Sequence, residues 1–164
     1  KYIMTEEYLK YNKSINNLNK NTKKEYDFCI FKVFDLNVMD RRLKIVKFLI
    51  ENNFTIYNIQ NYNDDTDMEL SKCKIILNIH EKDEEVNSNI YEYIGYNRLL
   101  KAGFNILSET DCKLNTEFAN KYSNLKLINY NDFLNIDVIN EYYNSKFEKN
   151  VKKIGIFNGF SFHY

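Results

Sequence analysis

Polar side chains that could do acid–base or hydrogen-bonding chemistry follow two apolar segments of the chain. His80 comes directly after the isoleucine-rich run 74–79, and Ser108 and Glu109 come directly after the apolar run 104–107. Short apolar runs of this kind are typical of strands buried on both faces of a parallel sheet. Ligands of open α/β sheets bind outside the carboxyl ends of the strands. We therefore predict that these three side chains lie at one ligand-binding edge.

A helix is predicted between these two strands. Its apolar and half-polar positions recur at three- and four-residue spacing, and they are Ile90, Tyr93, Ile94, Asn97 and Leu100. Gly103 is a typical residue for the end of such a helix. Glu92 falls near the helix start, so we expect it near the same sheet edge as His80.

A second candidate site is the start of the clearest helix in the chain, over 39–52. Arg41 and Arg42 lie in its first turn, and we expect them to face solvent or a ligand. The free backbone amides of a helix start bind phosphate groups, and arginine binds phosphate in a bidentate manner. This helix start therefore has the chemistry of a diphosphate site.

The remaining pattern predicts alternating strands and helices. We predict helices over 5–19, 39–52, 64–70, 90–102, 115–121 and 136–147, strands over 26–34, 54–59, 74–79, 104–107, 125–128 and 152–157, and a turn over 131–133. Connections of these lengths suit right-handed crossovers between parallel strands. The predicted fold class is α/β, a parallel sheet with helices on both faces.

The predicted domain spans 1–149, with 150–164 as the start of a following strand or segment. The short final strand suggests that the natural chain continues. The opening Lys1 suggests trimming or a tag-removal scar. No repeat or low-complexity linker interrupts the predicted domain.

Composition narrows the possible partners and compartment. The 164 residues are 44% hydrophobic with a formal net charge of zero, and no basic stripe for nucleic acid is present. No apolar run reaches the length of a membrane span, and no signal-peptide pattern opens the chain. We expect a soluble cytoplasmic protein. The heavy use of Asn, Lys, Ile and Tyr indicates a genome of low GC content.

Neither cysteines nor acidic residues predict a metal site. The three cysteines are Cys29, Cys73 and Cys112, whose wide spacing disfavours a disulfide framework or a zinc site. Cys29 and Cys73 fall in predicted strands, so we expect them to be buried. The acidic run 81–85 could hold a metal ion, but a solvated loop is favoured.

Three segments, in this order, resemble the nucleotide-sugar-binding half of GT-B glycosyltransferases, in the branch that includes the CgeB-like spore-maturation proteins. They are Asp40-Arg41-Arg42 with its helix, SKCKIILNIH at 71–80, and NIYEYIGYNRLLKAGFNILSE at 89–109. The resemblance covers about 26–109 and continues more weakly to 147. It implies a Rossmann-like domain that forms one half of a GT-B architecture.

The resemblance also implies roles for the residues at the predicted edge. Glu92 matches the glutamate that hydrogen-bonds the ribose of the donor, since a carboxylate can accept from both vicinal hydroxyls. Ser108 and Glu109 match residues beside the nucleotide. Asn78 and His80 match residues near the donor sugar and phosphates, which makes His80 the catalytic candidate.

For the phosphates, the resemblance implies contacts from Arg41 and Arg42. The family often has an arginine three residues after the ribose-binding glutamate, and Gly95 stands at that position here. Arg98, one turn further along the helix, is the candidate to replace it.

The leading hypothesis is a domain that binds a nucleoside-diphosphate sugar for transfer of the sugar to an acceptor. The donor would be a substrate, with no cofactor and no metal. Catalysis would need a second Rossmann-like domain in the same chain or in another. The alternative is a degenerate, non-catalytic module for protein interaction or assembly, which Gly95 favours, so enzyme activity is left open. A third reading is a flavodoxin- or receiver-like domain with Asp35 at the end of the first strand.

Overall fold

The structure is a computed structural model, and it describes residues 15, 17–33, 39–61, 63, 65–80, 90–110, 119–147 and 155–158. Within these ranges only the backbone is described for 39, 40, 90–95 and 155–158. The predicted metal-binding alternative at 81–85, Cys112, Asp35, most of the helix predicted over 5–19 and most of that predicted over 115–121 lie outside the described residues.

Within the described ranges, six parallel strands form one sheet. In chain order the elements are β1 Tyr26–Phe31, α1 Met39–Glu51, β2 Thr55–Ile59, α2 Thr66–Ser71, β3 Cys73–Asn78, α3 Ile90–Lys101, β4 Asn105–Glu109, β5 Leu125–Ile128, a 3-10 helix Tyr130–Leu134, α4 Ile136–Lys146 and β6 Gly155–Asn158. The strand order across the sheet is β5-β4-β3-β1-β2-β6. All five strand pairs are parallel.

The first five strands have the order 2-1-3-4-5, which makes the fold a Rossmann-like α/β sheet. The predicted fold class is confirmed. The chain leaves β1 toward β2 and returns on its other side with β3, so the point where the strand order reverses lies between β1 and β3. β6 joins the same sheet beside β2, with Ile56 in register with Ile156.

Helices cover both faces of the sheet. One face is packed by α1 and α4, and its most buried aromatic residues are Phe28, Phe54, Phe133 and Tyr143. The other face is packed by α2, α3 and Ile15, and it contains the two described cysteines, Cys29 and Cys73, which are free and buried as predicted. Among the described residues, no helix is long and apolar enough to cross a membrane.

The apolar residues of α1 and α4 lie on their buried sides. In α1, Ile45, Val46 and Leu49 are fully buried, and Lys47 is exposed. Positions three and four residues apart share one face of a helix, so this apolar set covers the sheet. In α4, Ile139, Tyr142 and Tyr143 are buried.

The first strand is shorter than predicted. β1 ends at Phe31 and not at residue 34, because Lys32 adopts a positive φ of 52° that breaks the extended backbone. The Lys32 amide still donates to the Ile59 carbonyl, at 2.9 Å, and the Val33 amide donates to Asn58 Oδ1, at 3.1 Å. The chain therefore turns away from the sheet directly at the end of β1.

Two helices end in the same left-handed motif. At the end of α3, the Gly103 amide donates to Leu100 O and the Phe104 amide donates to Leu99 O, with Gly103 at φ 84°. At the end of α1, Asn53 adopts φ 66° and makes the equivalent pair of bonds with Phe54. These are Schellman motifs, in which each phenylalanine is buried as the chain enters the next strand.

Replacing Gly103 with alanine should lower the free energy of unfolding by about 1 to 2 kcal/mol, because a Cβ is disfavoured at this φ. A Cβ there would lie 3.5 Å from Asn19 Nδ2, an ordinary contact, so the loss comes from the backbone conformation. Urea unfolding measures the change. Asn53→Gly is the matched control and should change stability by less than about 0.5 kcal/mol. An unchanged Gly103→Ala variant would contradict the assignment.

Candidate functional site

The Glu109 carboxylate is at the centre of a polar cluster at the carboxyl ends of β1, β3 and β4. Arg41 Nη2 donates to its Oε1 at 2.5 Å, and the His80 backbone amide donates to its Oε2 at 2.9 Å. The two charged side chains are only 14% and 9% exposed. Each carboxylate oxygen therefore has a charged or amide donor, and the cluster connects the first turn of α1 with the ends of β3 and β4.

The His80 ring is oriented by the Glu109 backbone. His80 Nε2 lies 3.2 Å from Glu109 O. A carbonyl oxygen can only accept, so this contact requires the proton on Nε2. In the neutral ring, Nδ1 is then the basic nitrogen. Any general-base role of His80 would use Nδ1.

Asn78 and Ser108 form a hydrogen-bonded side-chain pair between β3 and β4. The two residues are paired in register, and Asn78 Nδ2 donates to Ser108 Oγ at 3.0 Å. Ser108 Oγ in turn donates to Glu109 O at 3.1 Å. Both side chains are buried. These hydrogen bonds therefore join the ends of the two strands directly beside Glu109 and His80.

Arg42 lies across the point where the strand order reverses. Its Nη1 donates to Phe31 O at 2.8 Å, at the end of β1. Its Nε and Nη2 donate to Ile79 O at 3.0 and 2.9 Å, immediately after β3. The guanidinium therefore donates to carbonyls at the ends of both strands between which the strand order reverses.

Tyr130, which the sequence did not indicate as a site residue, holds Arg41. The Arg41 guanidinium carbon lies 4.2 Å from the centre of the Tyr130 ring, and the Tyr130 hydroxyl donates to Arg41 O at 2.9 Å. Burial raises the pKa of the Tyr130 phenol, with Arg41 acting against this shift and Glu109 adding to it. Tyr130 belongs to the 3-10 helix after β5, so only the tertiary structure brings it to α1.

The three other residues that the sequence analysis named, Glu92, Gly95 and Arg98, belong to α3. The side chain of Glu92 is outside the described part of the structure. Arg98 lies in the last turn of α3, away from the carboxyl ends of the strands. Its Nη1 and Nη2 donate to the two carboxylate oxygens of Asp67, at 3.2 and 3.1 Å, which ties α3 to α2. Arg98 is thus not gathered with the Glu109 cluster.

A second buried polar cluster lies at the opposite, amino-terminal edge of the sheet. Asp27 Oδ1 accepts from Tyr143 OH at 2.5 Å and lies 3.4 Å from Lys74 Nζ. Asp27 Oδ2 accepts from the Thr55 amide at 2.9 Å and from its hydroxyl at 3.1 Å. Burial, and then the hydrogen bond to Asp27, raises the pKa of Tyr143. The sequence contains a signal for this cluster, because Asp27 and Lys74 are charged residues near the starts of otherwise apolar strands.

A groove of about 810 Å³ runs along β5 and the outer side of α4. Its lining is mixed, with Leu125, Leu127 and Tyr142 beside Lys126 and Glu141. It does not include the Arg41–Glu109 cluster. Across the described ranges, no group of three or more His, Cys, Asp or Glu side chains could hold a metal ion.

The structure thus brings six of the predicted residues to one edge, namely Arg41, Arg42, Asn78, His80, Ser108 and Glu109.

Comparison of the chain with protein-family models, with curated proteins and with solved structures finds no match.

Proposed function

We propose that this edge binds a nucleoside-diphosphate sugar and that the chain is the donor-binding half of a GT-B-type glycosyltransferase. The observation that carries the proposal is the convergence of the α1 arginines with Glu109 and His80 at the strand-order reversal. Open α/β sheets bind nucleotides at that position. The site holds a guanidinium and a helix start, which suit a diphosphate group.

Each part of the donor would have its own partner in this proposal. Arg41 and the first-turn amides of α1 would hold the diphosphate, which is the leaving group of sugar transfer. Glu92, by the resemblance, would accept hydrogen bonds from the ribose. His80 would lie near the reacting end, as the resemblance implies. A second Rossmann-like domain would bind the acceptor, because a GT-B site lies between two such domains. This domain alone should therefore bind the donor without transferring the sugar.

Calorimetric titration with UDP-, GDP- and ADP-sugars tests the proposal. We expect one base to bind, and Arg41→Gln to weaken that binding about tenfold through loss of a charge-assisted phosphate contact. Lys44→Gln is the matched control, since Lys44 is exposed on the same helix and should leave binding unchanged. A folded wild-type protein that binds none of the three donor classes would refute the proposal.

A non-catalytic interaction module is the second candidate, and a specific observation favours it. Arg42 uses three donors on Phe31 O and Ile79 O at the point where the strand order reverses, so this arginine is already engaged by the protein itself. Gly95, at a position where the family often has arginine, also favours a non-catalytic module. Glu92→Ala separates the two candidates, because it should weaken nucleotide binding only if the edge is a donor site.

The receiver-like reading has less support than either. The strand order 2-1-3-4-5 also occurs in flavodoxin-like domains. However, β5 ends at Ile128 and is followed by Asn129 and Tyr130, where a receiver would need a lysine. Tyr130 instead contacts Arg41.

A further inference from the structure

The contact between Arg41 and Glu109 has the form of an occupied anion site. A guanidinium at the start of a helix meets a single carboxylate oxygen at 2.5 Å. We propose that Glu109 is a resident anion, which occupies Arg41 when no ligand is bound and is exchanged for a diphosphate group when the donor enters. The inference rests on the proposed function, and it makes Glu109 a competitor of the ligand where the resemblance made it a ligand contact.

Arg41 is held in place independently of Glu109. The Tyr130 ring lies against its guanidinium at 4.2 Å, and the Tyr130 hydroxyl binds its backbone carbonyl. This attraction between a cation and an aromatic face does not involve Glu109, so it would persist when the anion changes. The guanidinium can therefore pass from a carboxylate to a phosphate without rearrangement of α1.

Glu109 can release Arg41 without leaving the cluster. Its Oε1 accepts from Arg41, whereas its Oε2 accepts from the His80 amide at 2.9 Å. Combined changes of the side-chain torsions that pivot the carboxylate about Oε2 would break the first contact and keep the second. The released carboxylate would remain beside the site, so the ligand would bind against a competing negative charge.

Arg42 cannot make the same exchange. Its donors are directed to the backbone carbonyls of Phe31 and Ile79, and moving it would leave both carbonyls without these donors. The two neighbouring arginines therefore have different roles. Arg42 closes the strand ends, and Arg41 is the exchangeable anion-binding residue.

The test is calorimetric titration of inorganic pyrophosphate into the wild type and Glu109→Gln. The amide side chain keeps an oxygen for the His80 amide but removes the competing charge. We expect Glu109→Gln to bind pyrophosphate about tenfold more tightly than the wild type. Glu141→Gln is the matched control, because Glu141 is exposed on α4 and its loss changes the net charge equally. Equal or weaker binding by Glu109→Gln, or no binding by either protein, would overturn the inference.

A double variant and a wild-type measurement make the test specific. The increase in pyrophosphate affinity from Glu109→Gln should disappear when Arg41→Gln is also present. An increase that persists in the double variant would overturn the exchange. In wild-type protein, pyrophosphate should shift the carboxyl carbon resonance of Glu109 while the Tyr130 ring resonances stay in place. This measurement applies even if Glu109→Gln fails to fold, and an unshifted Glu109 resonance at saturation counts against the exchange.

The outcomes also separate this inference from the proposed function. Tighter pyrophosphate binding by Glu109→Gln, with no nucleotide sugar bound by any variant, would support the exchange and refute the donor site. Nucleotide-sugar binding by the wild type, with weaker pyrophosphate binding by Glu109→Gln, would support the donor site and refute the exchange.

Discussion

Replacing Asp27 with alanine should lower the free energy of unfolding by about 3 to 5 kcal/mol, the largest effect we expect from one substitution at a polar residue. The carboxylate accepts from the Thr55 amide and hydroxyl and from the Tyr143 hydroxyl, and it lies 3.4 Å from Lys74 Nζ. Alanine would leave these buried groups without their acceptor. The ammonium of Lys74, whose side chain is 11% exposed, would keep its hydrogen bond to Tyr143 OH and its contacts with the Tyr143 and Phe147 rings but would lose its anionic partner.

Urea unfolding of Asp27→Ala measures the effect, and Asp27→Asn divides it into its parts. The asparagine has a single acceptor oxygen, so it can accept from Thr55 or from Tyr143 but not from both, and it has no charge for Lys74. We therefore expect it to lose more than half as much stability as the alanine variant. Asp65→Ala is the matched control, because Asp65 is exposed and its side chain makes no capping bond, and it should change stability by less than about 0.5 kcal/mol. A loss below 1 kcal/mol for Asp27→Ala would show that the cluster is not stabilising.

Arg42→Ala should lower the free energy of unfolding by about 2 to 4 kcal/mol. The side chain is a donor to Phe31 O and Ile79 O, and hydrogen bonds from charged donors contribute about 1.5 to 3 kcal/mol each. Removing it would take these charged donors away from the carbonyls at the ends of β1 and β3. The strand ends around His80 should then loosen, because Ile79 directly precedes it.

Arg42→Lys distinguishes geometry from charge. Lysine keeps the positive charge but cannot reach both carbonyls with a planar fork, so we expect it to recover less than half of the loss. Hydrogen exchange at the Phe31 and Ile79 ends of the strands, together with urea unfolding, measures the effect. Lys44→Ala, at an exposed position of the same helix, should have little effect. Wild-type stability of Arg42→Ala would mean that Arg42 is held for a ligand and not for the fold.

Substitutions at the two edges of the sheet are thus expected to change different properties of the protein. The Asp27 cluster at the amino-terminal edge joins three strands to α4, so changes there should act on stability. At the carboxyl edge, Arg42 is predicted to act on stability, and Arg41 and Glu109 on anion binding. Measuring both properties for each variant tests this division directly.

Much of the fold followed from patterns that are local in sequence. The isoleucine-rich β3 and the strand after Gly103 were predicted within one or two residues, because apolar runs and a left-handed glycine determine strand and helix limits over a few residues. The end of β1 was missed, since nothing in the residue type of Lys32 predicts a positive φ.

The candidate site was predicted in part for the same reason. Strand ends can be located from sequence, so the gathering of Asn78, His80, Ser108 and Glu109 at one edge followed from two strand predictions. The displacement of Arg98 could not be predicted, because its partner Asp67 is on another helix, 31 residues away in the chain.

The sequence by itself determined the α/β class, the presence of strand and helix limits near the right places, and the polar character of one sheet edge. These properties depend on hydrophobic periodicity and turn chemistry, which act over a few neighbouring residues. Only the tertiary structure decided that Glu109 binds Arg41, that Arg42 closes the ends of β1 and β3, and that Tyr130 holds Arg41. These contacts join residues 11 to 89 positions apart, so they depend on strand order and helix packing, which local patterns do not specify.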